Sequence, residues 1–229
     1  MQQRLEEALA KVASETVDVI CAGRTDTGVH ASGQVVHFDT DSVRDERGWQ
    51  LGANSNLPDD ISVAWAQHVS DDFHARFSAT GRSYRYRILN RPQRSALHRH
   101  RAWWVHQPLD ATLMHAAALL LAGEHDFSAF RAAGCGANTP RRMITSIGVI
   151  RDGDWVTLEV SANAFLQHMV RNIVGTLCRV GAGEETLEWV AAVLDSRDRK
   201  RGGIAAPPHG LTLLGVDYPQ ACGIPAGCR

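Results

Sequence analysis

The sequence predicts an α+β protein made of two ferredoxin-like halves, each a split βαβ unit, around a central mixed or antiparallel sheet. Three observations predict this class. Helical and strand-like periodicities alternate along the 229 residues. The second half has the order strand, helix, strand, strand, helix, strand, and the first half has the same order without its opening strand. We place the two halves at residues 1–75 and 76–229.

The first half begins with an amphipathic helix. Leu5, Leu9 and Val12 recur at helical spacing, with charged residues opposite, so residues 2–13 are predicted to be helical. The elements expected after this helix are strands at residues 17–22 and 33–39, a helix near 43–53, and a strand at 61–68 with alternating apolar residues.

The second half opens with a long strand, because Tyr84, Tyr86 and Ile88 alternate with arginines. This strand is expected to pair with residues 101–107. The tight turn at Asp152-Gly153 predicts a hairpin. The other expected elements are the hairpin strands at 143–151 and 154–162, helices at 110–122, 164–181 and from about Leu187 to Leu194, and a closing strand from Leu211 to Val216.

A split βαβ unit should open with a strand, but the first predicted helix starts at residue 2. An empty sheet position would expose backbone groups and the apolar face of helix 2–13. We therefore expect the natural protein to have, or once to have had, a strand before Met1.

Composition indicates an ordinary soluble globular protein, with 44% hydrophobic and 21% charged residues. No apolar run approaches the roughly 18 residues of a membrane span, and Met1 is not followed by a signal peptide. We expect a cytoplasmic protein without membrane association. The cysteines are scattered, with no Cys-x-x-Cys pair, which predicts isolated reduced thiols rather than disulfides or a zinc site. They are Cys21, Cys135, Cys178, Cys222 and Cys228.

Charge is unevenly distributed. The formal net charge of −1 argues weakly against nucleic-acid binding. Between Arg76 and Leu109, however, there are eight arginines and no Asp or Glu. The chain has 22 arginines against two lysines, and arginine suits bidentate contact with phosphate. The basic segment is either a phosphate-binding face or an ordinary solvated one, and arginine bias also arises in GC-rich genomes.

A polar, glycine-rich loop within residues 22–38 contains a single carboxylate, Asp26, between two strand-like runs. Gly23, Gly28 and Gly33 give its backbone freedom that a packed strand would not need. Such a loop can aim a reactive carboxylate into a cleft. It can equally be a turn whose Asp and Thr side chains bond their own backbone. From the loop alone both interpretations stay open.

Several longer motifs occur in order along the chain, and together they resemble the tRNA pseudouridine synthase A family from the first helix to Tyr218. The resemblance implies the pseudouridine synthase fold and isomerisation of uridine to pseudouridine in the tRNA anticodon stem-loop, at positions 38–40. It also implies a homodimer that uses no cofactor and no metal. The motifs are Cys21 to Phe38, Gly52 to Pro58, Phe73 to Ala79, Arg82-Ser-Tyr-Arg-Tyr86, and Asn163 to Gly175.

The resemblance assigns catalytic roles to three residues. Asp26 matches the family's nucleophilic aspartate, which attacks the ribose or helps to expel uracil. Arg171 matches the basic residue that pairs with this aspartate, favouring its charged form and fixing its direction. Tyr84 matches the tyrosine that stacks on the target base and is a candidate acceptor of the C5 proton. Without the motifs, Arg171 would be a solvated helix residue and Tyr84 a packing residue.

The resemblance also implies substrate-binding residues. Arg24 matches the loop arginine that helps to extrude the uridine from the helix stack, with a plain phosphate contact as the alternative. Arg82 and Arg85, on the basic strand, are expected to bind RNA. Leu213 matches the apolar residue that lines the pocket, although an ordinary strand position would also suit Leu.

Two other functions remain to be weighed. If the missing first strand disrupts the site, the chain is a non-catalytic RNA-binding protein. We hypothesise instead that Met1 corresponds to an internal GTG codon that was mistaken for the start codon. A glycosidase would usually need a second carboxylate about 5–9 Å from the first, and no motif supplies one. The histidines of the motifs and elsewhere are expected to be hydrogen-bonding core or surface residues rather than ligands. Those considered are His30, His37, His74, His125 and His168.

Overall fold

The structure, a computed structural model, describes residues 1–225 of the chain. Helices and strands alternate along it, as the sequence predicts. The helices are α1 (Gln2–Ala13), α2 (Glu46–Asn56), α3 (Ala111–Leu119), α4 (Met169–Gly181) and α5 (Leu187–Ser196). The strands are β1 (Ile20–Cys21), β2 (His30–Ala31), β3 (Val36–His37), β4 (Gly81–Asn90), β5 (Trp103–Val105), β6 (Gly123–Asp126), β7 (Arg141–Asp152), β8 (Trp155–Ala162) and β9 (Leu211–Asp217).

The chain divides into two compact units. Among the described residues, the first contains Met1–Arg24, Gln34–Ala79 and Tyr218 to Pro225, and the second contains Thr25–Gly33 and Thr80–Asp217. The short segment that carries Asp26 therefore belongs to the same unit as β4, α4 and β9.

In the first unit, α1 packs against α2. Leu9 and Ala13 of α1 are buried in one cluster with Val17 and with Trp49 and Ala53 of α2. The expectation that the apolar face of helix 2–13 would be exposed is therefore wrong, because α2 and the chain after α1 cover it. The strands β1 and β3 pair antiparallel and are shorter than predicted.

Residues 61–68 do not form the predicted strand. The side-chain amide of Asn54 in α2 bonds the backbone of Val63 twice, accepting from its N–H at 2.7 Å and donating to its carbonyl at 2.8 Å. Gln50 donates to the carbonyl of Ala64 at 2.6 Å. These amides bond backbone groups that a neighbouring strand would otherwise pair, so this segment is a loop despite its alternating apolar pattern.

The second unit is built on a mixed sheet with the strand order β2-β9-β4-β8-β7-β6, and β5 pairs with β4. The pairs β2–β9 and β4–β5 are parallel, whereas β9–β4, β4–β8, β8–β7 and β7–β6 are antiparallel. The predicted hairpin at Asp152-Gly153 and the predicted pairing of the long strand with residues 101–107 are confirmed. The polar strand β6 and the two-residue strand β2 have no alternating apolar pattern, and the sequence did not predict them.

The core of this unit lies between the sheet and its helices, with α3 and α4 packed on the face that carries Tyr86, Ile88 and Leu158. The predicted helix 164–181 begins only at Met169, because His168 has a left-handed backbone with φ of 62°. Cys21, Cys135, Cys178 and Cys222 are free thiols, as predicted, whereas Cys228 lies outside the described residues.

Helix α4 approaches the loop before β9 backbone to backbone. A Cβ atom on Gly175 would lie 1.7 Å from the carbonyl oxygen of Ile204, and the Thr176 hydroxyl accepts a hydrogen bond from Gly203 at 3.0 Å. We expect Gly175→Ala to lower the free energy of unfolding by about 3 kcal/mol, since the backbone must separate to admit a methyl group. Denaturant titration would measure this. Gly134→Ala, where a Cβ meets nothing within 4 Å, is the control; equal stability of the two variants would contradict the prediction.

Candidate active site

Asp26 lies in a turn just before β2, and the turn leaves its carboxylate accessible. The backbone N–H of Val29 donates to the carbonyl of Asp26 at 3.0 Å, and Gly28 adopts φ of 87°. A Cβ on Gly28 would lie 3.2 Å from Pro208, so the turn packs closely on the loop before β9. One third of the Asp26 side chain is exposed. The turn therefore presents a carboxylate that a substrate can reach.

Arg171 of α4 contacts this carboxylate. Its Nη1 lies 3.1 Å from Oδ2 of Asp26, and its side chain is only 13% exposed. The guanidinium makes a second hydrogen bond, in which Nε donates to the carbonyl of Ala206 at 2.7 Å. Ala206 in turn donates its N–H to the carbonyl of Arg171 at 3.0 Å. Arg171 is thus held in one orientation, with its charge directed at Asp26.

His168 is a second partner of Asp26, and sequence reasoning missed it as a site residue. Its Nε2 lies 3.1 Å from the same carboxylate oxygen, Oδ2. A non-glycine residue in the left-handed region is uncommon and occurs often at functional sites. The spacing of three residues between His168 and Arg171, one helical turn apart within one motif, was the available signal.

Tyr84 and Leu213 lie on adjacent strands. They are register partners on β4 and β9, next to an irregularity between Ser83 and Tyr84. The Tyr84 ring meets the ring of Phe165 edge to face at a centroid distance of 5.0 Å. Leu213 is fully buried, and its carbonyl accepts a hydrogen bond from Ser32 at 2.9 Å. Strand β9 thereby ties the end of the Asp26 segment to the strand that bears Tyr84.

Tyr86, two residues along β4, has a packing role instead. It is buried, its hydroxyl donates to the carbonyl of Pro207 at 2.7 Å, and Gly210 packs against its ring. Burial raises the pKa of the Tyr86 hydroxyl well above its usual range. Tyr86 therefore stays neutral and supports the loop that holds Arg171.

The predicted RNA-binding arginines are in different places. Arg82 donates to the carbonyl of Asn163 at 3.0 Å, close in sequence to His168. Arg85 pairs with Glu159 at 2.6 Å, and as the neighbour of Tyr84 in a strand it points to the opposite face of the sheet. Arg24 is exposed and belongs to the first unit. The structure therefore brings together Asp26, Arg171 and His168, whereas Arg85 faces away from Tyr84.

Within residues 1–225, no group of three or more His, Cys, Asp and Glu side chains could hold a metal ion. In the same part of the chain, every helix is too short or too polar to cross a membrane.

Comparison with known proteins gives concordant matches. The family model for tRNA pseudouridine synthase matches residues 1–78 and 117–219, which include Asp26, His168 and Arg171. Tyr84 lies between the two matched segments. The tRNA pseudouridine synthase A of Stenotrophomonas maltophilia is 54% identical over 226 residues, covering 99% of this chain and 88% of that protein. The enzymes of the same name from Shewanella amazonensis and Aeromonas hydrophila are each 52% identical over 225 residues. Those alignments cover 98% of this chain and 86% and 84% of the respective relatives. This chain belongs to the tRNA pseudouridine synthase family and has its α+β fold with a mixed sheet.

Proposed function

We propose that this protein isomerises uridine to pseudouridine in tRNA. The observation that carries the proposal is the accessible carboxylate of Asp26, held at one oxygen by both Arg171 and His168. Relatives about half identical over nearly the whole chain are named for this reaction. An oriented, ion-paired carboxylate is the kind of group that can begin it.

The reaction needs a group that can act at the ribose. The bond from N1 of uracil to C1′ breaks, the base turns, and a bond from C5 to C1′ forms, after which C5 loses its proton and N1 gains one. Asp26 begins this sequence by attacking C1′ or by assisting departure of the uracil. The contacts of Arg171 and His168 with Asp26 are made to Oδ2, and Oδ1 is the atom that we assign to the ribose.

The neighbouring residues accommodate the base. Tyr84 provides an aromatic ring for stacking and a hydroxyl as candidate acceptor of the C5 proton. Leu213 supports Tyr84 as its register partner on β9, and we assign RNA binding to Arg82, which donates to the carbonyl of Asn163. Extrusion of the uridine from its stack is the role that we propose for Arg24, two residues before Asp26 in the sequence.

The finer features follow from the family resemblance. We propose that the substrate uridines are positions 38–40 of the anticodon stem-loop and that the protein acts in the cytoplasm as a homodimer without cofactor or metal. The arginine-rich segment between Arg76 and Leu109 supports an RNA substrate, since it contains no acidic residue to oppose the phosphates.

The test is an assay of the purified protein on unmodified tRNA transcripts. We expect pseudouridine at one or more of positions 38–40, mapped by carbodiimide labelling and primer extension, and none in transcripts with cytidine at those positions. Binding without product would contradict the proposal and favour a non-catalytic RNA-binding protein. Release of free uracil would contradict it in favour of a glycosidase.

A further inference from the structure

A group of basic side chains lies at the edge of the large sheet that carries β2. His30 belongs to β2, four residues after Asp26, and its Nε2 lies 2.6 Å from the carbonyl oxygen of His100. Arg99 donates from Nε to Nε2 of His100 at 2.8 Å. His209, in the short turn before β9, hydrogen-bonds to the backbone of Ala102. Three separate segments thus bring His30, Arg99, His100 and His209 together; we call these four residues the basic cluster.

The basic cluster is directly joined to the candidate active site. The loop before β9 contacts residues next to Asp26. The carbonyl of Ala206 accepts a hydrogen bond from Arg171, and Pro208 packs on Gly28. His209 follows in the same loop and interacts with His30, which lies four residues after Asp26. The Asp26 turn and the loop before β9, which position the carboxylate, therefore also carry His30 and His209 of the cluster.

Every ionisable side chain of the cluster is basic. Burial lowers the pKa of His209, and the nearby His100 and His30 lower it further. Among the described residues, no carboxylate contributes to the charge environment of His209. The histidines form no group able to hold a metal ion. His30 and His209 are half-buried, while Arg99 and His100 are exposed, so an anion can approach the cluster from solvent.

We propose that the basic cluster binds a backbone phosphate of the substrate tRNA, next to the nucleotide whose ribose meets Asp26. The inference rests on the proposed function, because it takes the substrate to be tRNA. The guanidinium of Arg99 supplies charge-assisted donors to phosphate oxygens, and imidazole N–H groups beside it add further donors. Exposed arginines of the same loop, Arg94 and Arg101, extend the basic surface beside it.

The cluster makes tRNA binding depend on pH. Burial and the neighbouring histidines lower the pKa of His209, and a bound phosphate favours its protonated form, so binding takes up a proton and affinity rises as the pH falls from about 8 to about 6. The groups that face the site are His30 from β2, Arg99 and His100 from the loop before β5, and His209 from the turn before β9. Asp26 and His168, which contact each other nearby, are unchanged in the variants below.

The experiment measures equilibrium binding of unmodified tRNA by fluorescence anisotropy at about pH 6, 7 and 8 at constant ionic strength. For the double variant His100→Gln/His209→Gln we expect about fivefold to tenfold weaker binding at the lowest pH and little of the wild-type gain in affinity on acidification. In steady-state assays the loss falls mainly on KM. His125→Gln is the matched control, because His125 lies on β6 at the opposite edge of the sheet.

A second variant protects the test against a folding defect. Arg99→Gln changes an exposed side chain, and we expect it to weaken binding at every pH and to lower the slope of log Kd against log salt by about one. The inference would be overturned if both variants bound tRNA with the same Kd, the same pH dependence and the same salt slope as the wild-type protein. Failure of the wild-type protein to form pseudouridine would instead overturn the proposed function, and that result is scored separately in the same reactions.

Discussion

Replacement of Asp26 by Asn is expected to lower kcat/KM for pseudouridine formation by on the order of 10⁴-fold or more. The amide has nearly the shape of the carboxylate, but it is a far weaker nucleophile and carries no charge for Arg171 and His168 to hold. The turn itself should persist, because Val29 bonds the backbone carbonyl of residue 26 and not its side chain. Single-turnover assays with excess enzyme on unmodified tRNA would measure the loss.

The matched control is Asp152→Asn, which removes the same charge from an exposed position at the end of β7. It should retain wild-type turnover. The Asp26→Asn protein should still bind tRNA and unfold with nearly unchanged cooperativity. If Asp26→Asn kept more than about a tenth of the wild-type rate, Asp26 could not be the group that starts the reaction.

Replacement of Arg171 by Gln should lower kcat by about a hundredfold, equivalent to ~2.7 kcal/mol in the barrier. Gln cannot at once hold Oδ2 of Asp26 and the carbonyl of Ala206, as the two ends of the guanidinium do. The carboxylate would lose its mostly buried cation and its fixed direction. Lys, which keeps the charge without the planar fork, should recover only part of the rate.

Arg179→Gln serves as the control for this variant. Arg179 lies on the same helix, but its side chain is 41% exposed and forms ion pairs with Glu184 and Glu185. Exposed pairs contribute little, so both activity and stability should change only slightly. A similar fall in kcat for the two variants would show that the Arg171 effect comes from a general disturbance of α4.

The secondary structure could be predicted where the apolar residues of the sequence pattern are the ones that the fold buries. The apolar spacing of α1 and the alternation in β4 are sufficient, because one face of each is buried. The same alternation predicted a strand at residues 61–68 wrongly, since Asn54 and Gln50 of α2 satisfy that backbone. An alternating apolar pattern does not show whether side-chain amides or a neighbouring strand will bond the backbone of the segment.

The site was predictable only in part. The motifs nominated Asp26 and Arg171, and the structure brings their side chains into contact. His168 was placed among ordinary histidines. Its spacing of three residues from Arg171 was available as a signal, but the left-handed backbone that directs it at Asp26 cannot be predicted from that spacing. Arg85 was nominated with Tyr84, although alternation within a strand already implies that these neighbours face opposite ways.

By itself, the sequence determined the α+β class, the glycine-rich turn with its single acid, and the resemblance that assigns a chemistry to that acid. Only the tertiary structure decided that Arg171, 145 residues from Asp26, shares a carboxylate oxygen with His168. It likewise decided that the loop before β9 joins this ion pair to a cluster of histidines. The physical reason is that periodicity reports which face of an element is buried, whereas contacts between distant segments depend on how the whole sheet and its helices pack.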